Sequence, residues 1–214
     1  SWISLEHLQG RSMKQVKICG LFRQEDIVSV NESHPDYAGF VIDFPRSHRN
    51  ITKVKLRALK LGLSKEIKAV GVLVDKPEDE VAKLISEGLI DIPQLHGHED
   101  NSYIKTLKSL IPEGIPVWQA IQVKTSEDVK KANESLADYV ILDAGQGTGK
   151  TFDWSLLDGV KRAYGLAGGI NLDNLNEAMN TGATMLDISG GVETDKVKDE
   201  EKIRQIIKKI KEAE

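Results

Sequence analysis

Short apolar runs rich in valine, isoleucine and leucine recur along the chain. They end near Cys19, Asp43, Val74, Leu95, Ala120, Asp143, Ala167 and Ser189, at spacings of 21 to 31 residues. A strand, its loop, a helix and a return loop need about that length. The runs are mostly continuous instead of alternating, the pattern of parallel strands covered on both faces. Between them the apolar positions switch to helical spacing. Gln24 to Glu32 carries Ile27, Val28 and Val30, and Thr52 is placed to cap a helix holding Val54, Leu56, Leu59 and Leu61. Pro77-Glu78-Asp79-Glu80 opens a third helix with proline and acids in its first turn. Ser126-Glu127-Asp128 and Asn171-Leu172-Asp173 read as two more helix starts. Lys198 to Ala213 predicts a terminal helix with the stripe Ile203, Ile206, Ile207 and Ile210. Eight such units predict an α/β fold, a single-domain closed (β/α)8, or TIM, barrel over residues 13–214. An open doubly wound sheet is the fallback. It would place a glycine fingerprint after its first strand, where this chain has Cys19-Gly20-Leu21-Phe22-Arg23; the glycine-rich loops come only after runs six to eight.

Composition narrows the function classes. The 214 residues are 40% hydrophobic, enough for one large core. The net charge is −4 and no block of lysine and arginine stands out, which argues against nucleic-acid or anionic-membrane partners. No apolar run approaches the roughly 18–20 residues of a membrane span. The single cysteine rules out an intrachain disulfide and fits a reducing cytoplasm. Residues 1–12 lack a signal-peptide pattern and stop before Met13-Lys14-Gln15-Val16, which reads like a natural start; they are expected to be an added leader or an N-terminal extension.

In a barrel of this kind the carboxyl ends of the strands and the loops after them form the active face. Those positions hold Cys19, Asp43, His96, Asp143, Asp187 and Ser189, with Arg49 in the loop after run two. A thiol and a carboxyl group across one pocket suit an isomerase, which removes a proton from one atom and delivers one to another. Cys19 taken alone reads equally well as a buried, inert thiol. Asp143 is the stronger candidate, because an acid closing an apolar strand is costly to bury without a partner or a task. His96 reads as a strand-end ligand group or as a satisfied histidine. Leu166-Ala167-Gly168-Gly169-Ile170-Asn171 and Asp187-Ile188-Ser189-Gly190-Gly191-Val192 follow runs seven and eight, where barrels often bind phosphate through backbone N–H groups. One such glycine pair would more simply be a tight turn; two at these places favour phosphate. Ala144 to Thr151 fits a relaxed nucleotide-binding P-loop, but it belongs to the sixth unit and Gly159 cuts short the helix that a P-loop requires. No histidine–carboxylate cluster has metal spacing, so neither a metal nor another cofactor is expected.

At these residues the chain resembles the phosphoribosylanthranilate isomerases of tryptophan biosynthesis, over essentially everything from Met13 to the terminal helix. The resemblance is carried by Val16-Lys17-Ile18-Cys19-Gly20-Leu21, Gly39-Phe40-Val41, Ser47-His48-Arg49-Asn50-Ile51-Thr52, Gln94-Leu95-His96-Gly97, Leu142-Asp143 with Gly147 to Trp154, Leu166 to Gly169, and Asp187 to Glu193. It implies an Amadori rearrangement of N-(5′-phosphoribosyl)anthranilate, with Asp143 as general acid and Cys19 as general base. It also implies Arg49 on the anthranilate carboxylate, His96 and Asp187 on the substrate, and Gly168, Gly169, Ser189 and Gly190 on the phosphate. A cytoplasmic monomer or homodimer acting on a small phosphorylated sugar–anthranilate is the corresponding expectation. The family usually has a second serine at Gly190, often a proline at His48 and a lysine at Gln119. The related histidine-pathway isomerase, a duplicated half-barrel with an aspartate at the Cys19 position, fits less well: the first half of this chain has no matching phosphate loop. A non-catalytic phosphosugar-binding barrel has no positive feature here.

Overall fold

The computed structural model describes residues 14–145 and 154–213. Eight parallel strands form the barrel: β1 Gln15–Cys19, β2 Tyr37–Ile42, β3 Lys68–Leu73, β4 Ile92–Leu95, β5 Trp118–Gln122, β6 Tyr139–Asp143, β7 Tyr164–Ala167 and β8 Met185–Ile188. Each pairs with its neighbours in chain order. β1 pairs both with β2, where Cys19 lies opposite Gly39, and with β8, where Lys17 lies opposite Asp187, and this closes the ring. The open doubly wound alternative is thereby excluded. A two-residue strand, Asn50–Ile51, extends β2 on the side of its carboxyl end.

The helices are α1 Gln24–Ser33, α2 Lys53–Gly62, α3 Glu78–Ser86, α4 Asn101–Leu110, α5 Ser126–Glu134, α6 Leu175–Met179 and α7 Glu200–Glu212. Thr52 caps α2 by accepting from the Lys55 N–H, as its position in sequence predicts, and Asp100 caps α4 by accepting from the Tyr103 N–H at 2.8 Å. Among the described residues no helix is long and apolar enough to cross a membrane.

Val28, Val54 and Leu61 are exposed, and the buried stripes of α1 and α2 are set by Ile27, Val30, Leu56 and Leu59. Two sequence expectations are corrected. The helix expected from Asn171 begins only at Leu175. Asn171 Oδ1 accepts from the N–H groups of Asp173 and Asn174, and Asn174 Oδ1 accepts from Asn171 N–H; this reciprocal turn occupies the first four residues. Lys198 is not helical either: Val197–Lys198 pairs antiparallel with Glu193–Thr194, and Asp199 caps α7. The leader expected over residues 1–12 and the P-loop-like stretch from residue 146 lie outside the described residues.

The two-residue period of a strand turns alternate side chains inward. Val70, Ile92, Trp118, Ile141 and Met185 fill the barrel toward the amino ends of the strands, with Trp118 edge-on to Tyr37 at 4.7 Å between centroids. The outward positions, such as Ile18, Phe40, Leu142 and Leu186, pack under the helices. Among the described residues the barrel is thus plugged toward the amino ends of the strands and open at their carboxyl ends.

Candidate active site

The carboxyl ends of the strands surround a cavity of about 680 Å³. It brings together Cys19 at the end of β1, Arg49, His96 just after β4, Asp143 at the end of β6, Gly168 and Gly169 after β7, Asp187 on β8, and Ser189 with Gly190 after it. All nine residues to which the resemblance gives a role therefore line one space. Asp43 is not among its lining residues; its carboxylate pairs instead with Lys76 at 3.5 Å. Val41, Phe44, Val72 and Val74 give the cavity an apolar wall.

Cys19 is half-buried and faces Gly39. A Cβ on Gly39 would come within 2.6 Å of the sulfur, so only glycine leaves the thiol its place. Asp143 accepts from the Gly145 N–H at 3.2 Å. Burial holds its carboxyl above the usual carboxylate range; the Gly145 N–H and His96 pull the other way, and Asp187 adds to the rise. Gly168 lies against this acid with φ +102°, and a Cβ there would sit 2.3 Å from Asp143 Oδ1. His96 is exposed to the cavity, but the protein crowded around its ring, together with Lys17, keeps the imidazole below the ordinary value, hence neutral at neutral pH.

A second set of charges supports Arg49. Its Nε and Nη2 donate to the two oxygens of Glu193 at 2.7 Å each, a bidentate pair. Lys198, whose side chain is fully buried, reaches the same carboxylate at 2.5 Å. Burial opposes charge on Glu193, but the Arg49 and Lys198 hydrogen bonds outweigh it and hold the carboxyl down at about 2. Two of the five Arg49 N–H groups are used in this way, which leaves three for an anionic ligand. Lys198 is positioned in turn by its backbone, whose carbonyl accepts from Arg23.

Beneath Cys19, Lys17 donates to Asp187 Oδ2 at 2.9 Å, the lysine fully buried and the aspartate nearly so. Asp187 Oδ1 and Gln94 Oε1 are buried without a partner among the described residues. Such acceptors cost about 1–3 kcal/mol when left unpaired, and both residues line the cavity. Ser189 Oγ donates to the Cys19 carbonyl at 3.0 Å, so this hydroxyl ties the last loop to β1. At Gly190 a Cβ would meet nothing closer than Arg49 Nη2 at 3.6 Å, which is room for the serine usual in the family.

Lys17, Gln94, Glu193 and Lys198 were not among the residues predicted from sequence. For Lys17 and Gln94 a signal exists: each stands two residues before a candidate, Cys19 or His96, and so shares its strand face. Glu193 and Lys198 carry none, because their roles depend on contacts across a turn that follows the barrel.

Comparison with known proteins agrees with this geometry. A family model described as N-(5′-phosphoribosyl)anthranilate (PRA) isomerase matches residues 16–209. The N-(5′-phosphoribosyl)anthranilate isomerase of Acetivibrio thermocellus is 40% identical over 215 residues, covering 94% of this chain and 98% of the relative. A crystal structure of a phosphoribosylanthranilate isomerase in complex with reduced 1-(o-carboxyphenylamino)-1-deoxyribulose 5-phosphate superposes with a TM-score of 0.78 at 31% identity, covering 93% of this chain and 99% of that one. Monomers generated from the dimeric enzyme of Thermotoga maritima give a TM-score of 0.77 at 32% identity, with 93% and 98% coverage. A family model that runs from the first strand into the last helix, around a cavity lined by Cys19, Arg49, His96, Asp143 and Asp187, leaves one assignment: the chain belongs to the N-(5′-phosphoribosyl)anthranilate isomerase family.

Proposed function

We propose that Cys19 and Asp143 are the base and acid with which this isomerase converts N-(5′-phosphoribosyl)anthranilate into 1-(2-carboxyphenylamino)-1-deoxyribulose 5-phosphate, an intramolecular aldose–ketose exchange in tryptophan biosynthesis. The observation that carries the reading is the placement of both groups at strand ends around one cavity, with burial favouring the protonated form of Asp143. The ligand in the solved relative, a reduced form of that product, supports the substrate class.

Asp143 gives its proton to the ribose ring oxygen as the C1′–O bond breaks, leaving a protonated Schiff base. Cys19, as thiolate, takes the proton from C2′, and the electron pair moves to form the enolamine. The enolamine then tautomerises: C1′ gains a proton, the C2′ hydroxyl loses one, and the ketone remains. No net atom or electron is exchanged, so positioned acid and base groups suffice. The three remaining Arg49 N–H groups bind the anthranilate carboxylate, and the wall of Val41, Phe44 and Val72 takes the aromatic ring. The unpartnered oxygens of Asp187 and Gln94 accept from sugar hydroxyls, and neutral His96 contacts the open-chain sugar. The loops at Gly168, Gly169, Ser189 and Gly190 hold the phosphate on backbone N–H groups.

The test follows the loss of phosphoribosylanthranilate fluorescence. Cys19→Ser and Asp143→Asn are each expected to lower kcat by about 10²–10⁴-fold with the fold intact, and Arg49→Ala to act mainly through KM. Near wild-type turnover by Cys19→Ser removes the base assignment. A free thiol and a small phosphorylated substrate support a cytoplasmic enzyme, acting as a monomer or homodimer; sedimentation of the purified protein decides between these two states.

A further inference from the structure

We infer that Lys17 is a positioning residue for the reaction: anchored by Asp187, its buried ammonium lies beneath Cys19 and stabilises the sulfur as proton acceptor. The inference rests on the reading of Cys19 as base and extends it to what makes a thiol serve as one.

Three observations carry it. Lys17 and Cys19 are alternate residues of β1 and point to the same side of the strand. Both converge on one spot: a Cβ built on Gly39 would lie 2.6 Å from Cys19 Sγ and 3.0 Å from Lys17 Cε. The lysine is fully buried, and its hydrogen bond goes to Asp187, directly opposite on β8, at 2.9 Å. A lysine in the middle of a buried strand is costly unless its charge has a use. Burial opposes that charge, yet Asp187 and Cys19 together outweigh it and keep the ammonium protonated.

The other charged groups around the sulfur do not replace it. Arg49, from the loop after β2, and Lys198, from the strand before α7, also interact with Cys19, but they share Glu193 between them. Across the cavity stand His96 on the β4 side, held neutral, and Asp143 on β6, whose proton burial favours. Lys17 is therefore the cation that approaches the thiol from its own strand. Among the described residues only one oxygen of its counterion is engaged, since Asp187 Oδ1 has no partner there.

Cys19 is the chain's sole cysteine, so its titration can be read without interference. The rate of iodoacetamide alkylation, measured from neutral to alkaline pH, reports the thiolate fraction. In Lys17→Met the alkylation midpoint is expected to rise by about one pH unit or more, the usual effect of losing an opposite charge within about 4–6 Å, and the rising limb of kcat/KM to move with it. Lys17→Arg should return the midpoint toward wild type. Asp187→Asn, which leaves the lysine uncompensated, should move the midpoint the opposite way, downward. An ion pair that serves only the fold predicts no such reversal. Midpoints that stay put, or that shift in the same direction in both variants, overturn the inference. Should Lys17→Met fail to fold, Asp187→Asn decides alone by the direction of its shift. The base assignment is tested separately: turnover by Cys19→Ser removes it whatever Lys17 does to the thiol, and a dead Cys19→Ser beside an unmoved Lys17→Met midpoint removes only the role of Lys17.

Discussion

Asp143 is held in a place that suits proton donation and works against stability. Burial raises its folded-state pKa above the ordinary carboxylate value of 3.8. The native state then binds the proton more tightly than the unfolded chain does, so stability falls as pH rises from that value through the raised one, and the loss persists above it. Asp143→Asn keeps the oxygen that accepts from Gly145 and cannot ionise. The variant should therefore melt above wild type at neutral pH, with the gap closing as pH falls toward 3.8, while its turnover is lost. Thermal melts at a series of pH values check this, and a variant less stable than wild type at neutral pH contradicts it. Asp143 and Cys19 were legible in the sequence because each stops an apolar run. Lys17 and Gln94 were legible only through their two-residue spacing from Cys19 and His96, because strands buried on both faces show no alternation of their own that marks which side chains point inward. Arg49 was legible as a loop cation, but its pairing with Glu193 joins residues 144 apart and appears only in the folded chain.

The strands are held at their amino ends by a device repeated at every second unit. Asp36, Asp91 and Asp138 stand just before β2, β4 and β6. Each gives its N–H to a carbonyl of the preceding odd-numbered strand or its lead-in and accepts, through Oδ2, from the N–H of that same residue: Val16, Ala69 and Val117 respectively. Before β8 the corresponding residue is Thr184, whose N–H donates to the Tyr164 carbonyl. Removing one carboxylate leaves a buried N–H without a partner, at a cost of about 1–3 kcal/mol. Asp138→Ala should accordingly lower the melting temperature by roughly 2–4 °C per kcal/mol lost in a chain of this size. The exposed pair of Asp138 with Lys108 at 2.9 Å adds little. The residue lies at the closed end of the barrel, so kcat/KM at room temperature should stay at the wild-type level; a melt within experimental error of wild type contradicts the account. Helix starts were legible where one local cap decides them, as at Thr52, and misleading at Asn171, where a turn made by asparagine side chains competes with the helix for the same backbone groups.

Eightfold spacing and late glycine loops made the closed barrel legible, but not how the ring is sealed. At the seam β1 meets β8, and Gln15 to Ile18 pair with Met185 to Ile188, 170 residues further along the chain. α7 lies over this region: it packs on β1, on α1 and on the turn Gly190–Val192, and Ile203, Ile206, Ile207 and Ile210 are each no more than 3% exposed. Burying an isoleucine contributes about 1.5–3 kcal/mol, so four of them supply on the order of 6–12 kcal/mol. That is comparable with the entire net stability of a typical domain, about 5–15 kcal/mol. A chain ending at Asp199 should therefore show no cooperative urea transition and no isomerase activity, whereas Ile206→Ala, at about 2–5 kcal/mol, should still fold with a lower midpoint. The same seam carries Cys19 and Lys17 on one strand and Asp187 on the other, so loosening it separates the charges around the thiol before the rest of the barrel gives way. In Ile206→Ala, activity should then be lost at a lower urea concentration than the far-ultraviolet circular dichroism signal. Coincident loss of the two signals would mean that the seam yields only together with the whole barrel.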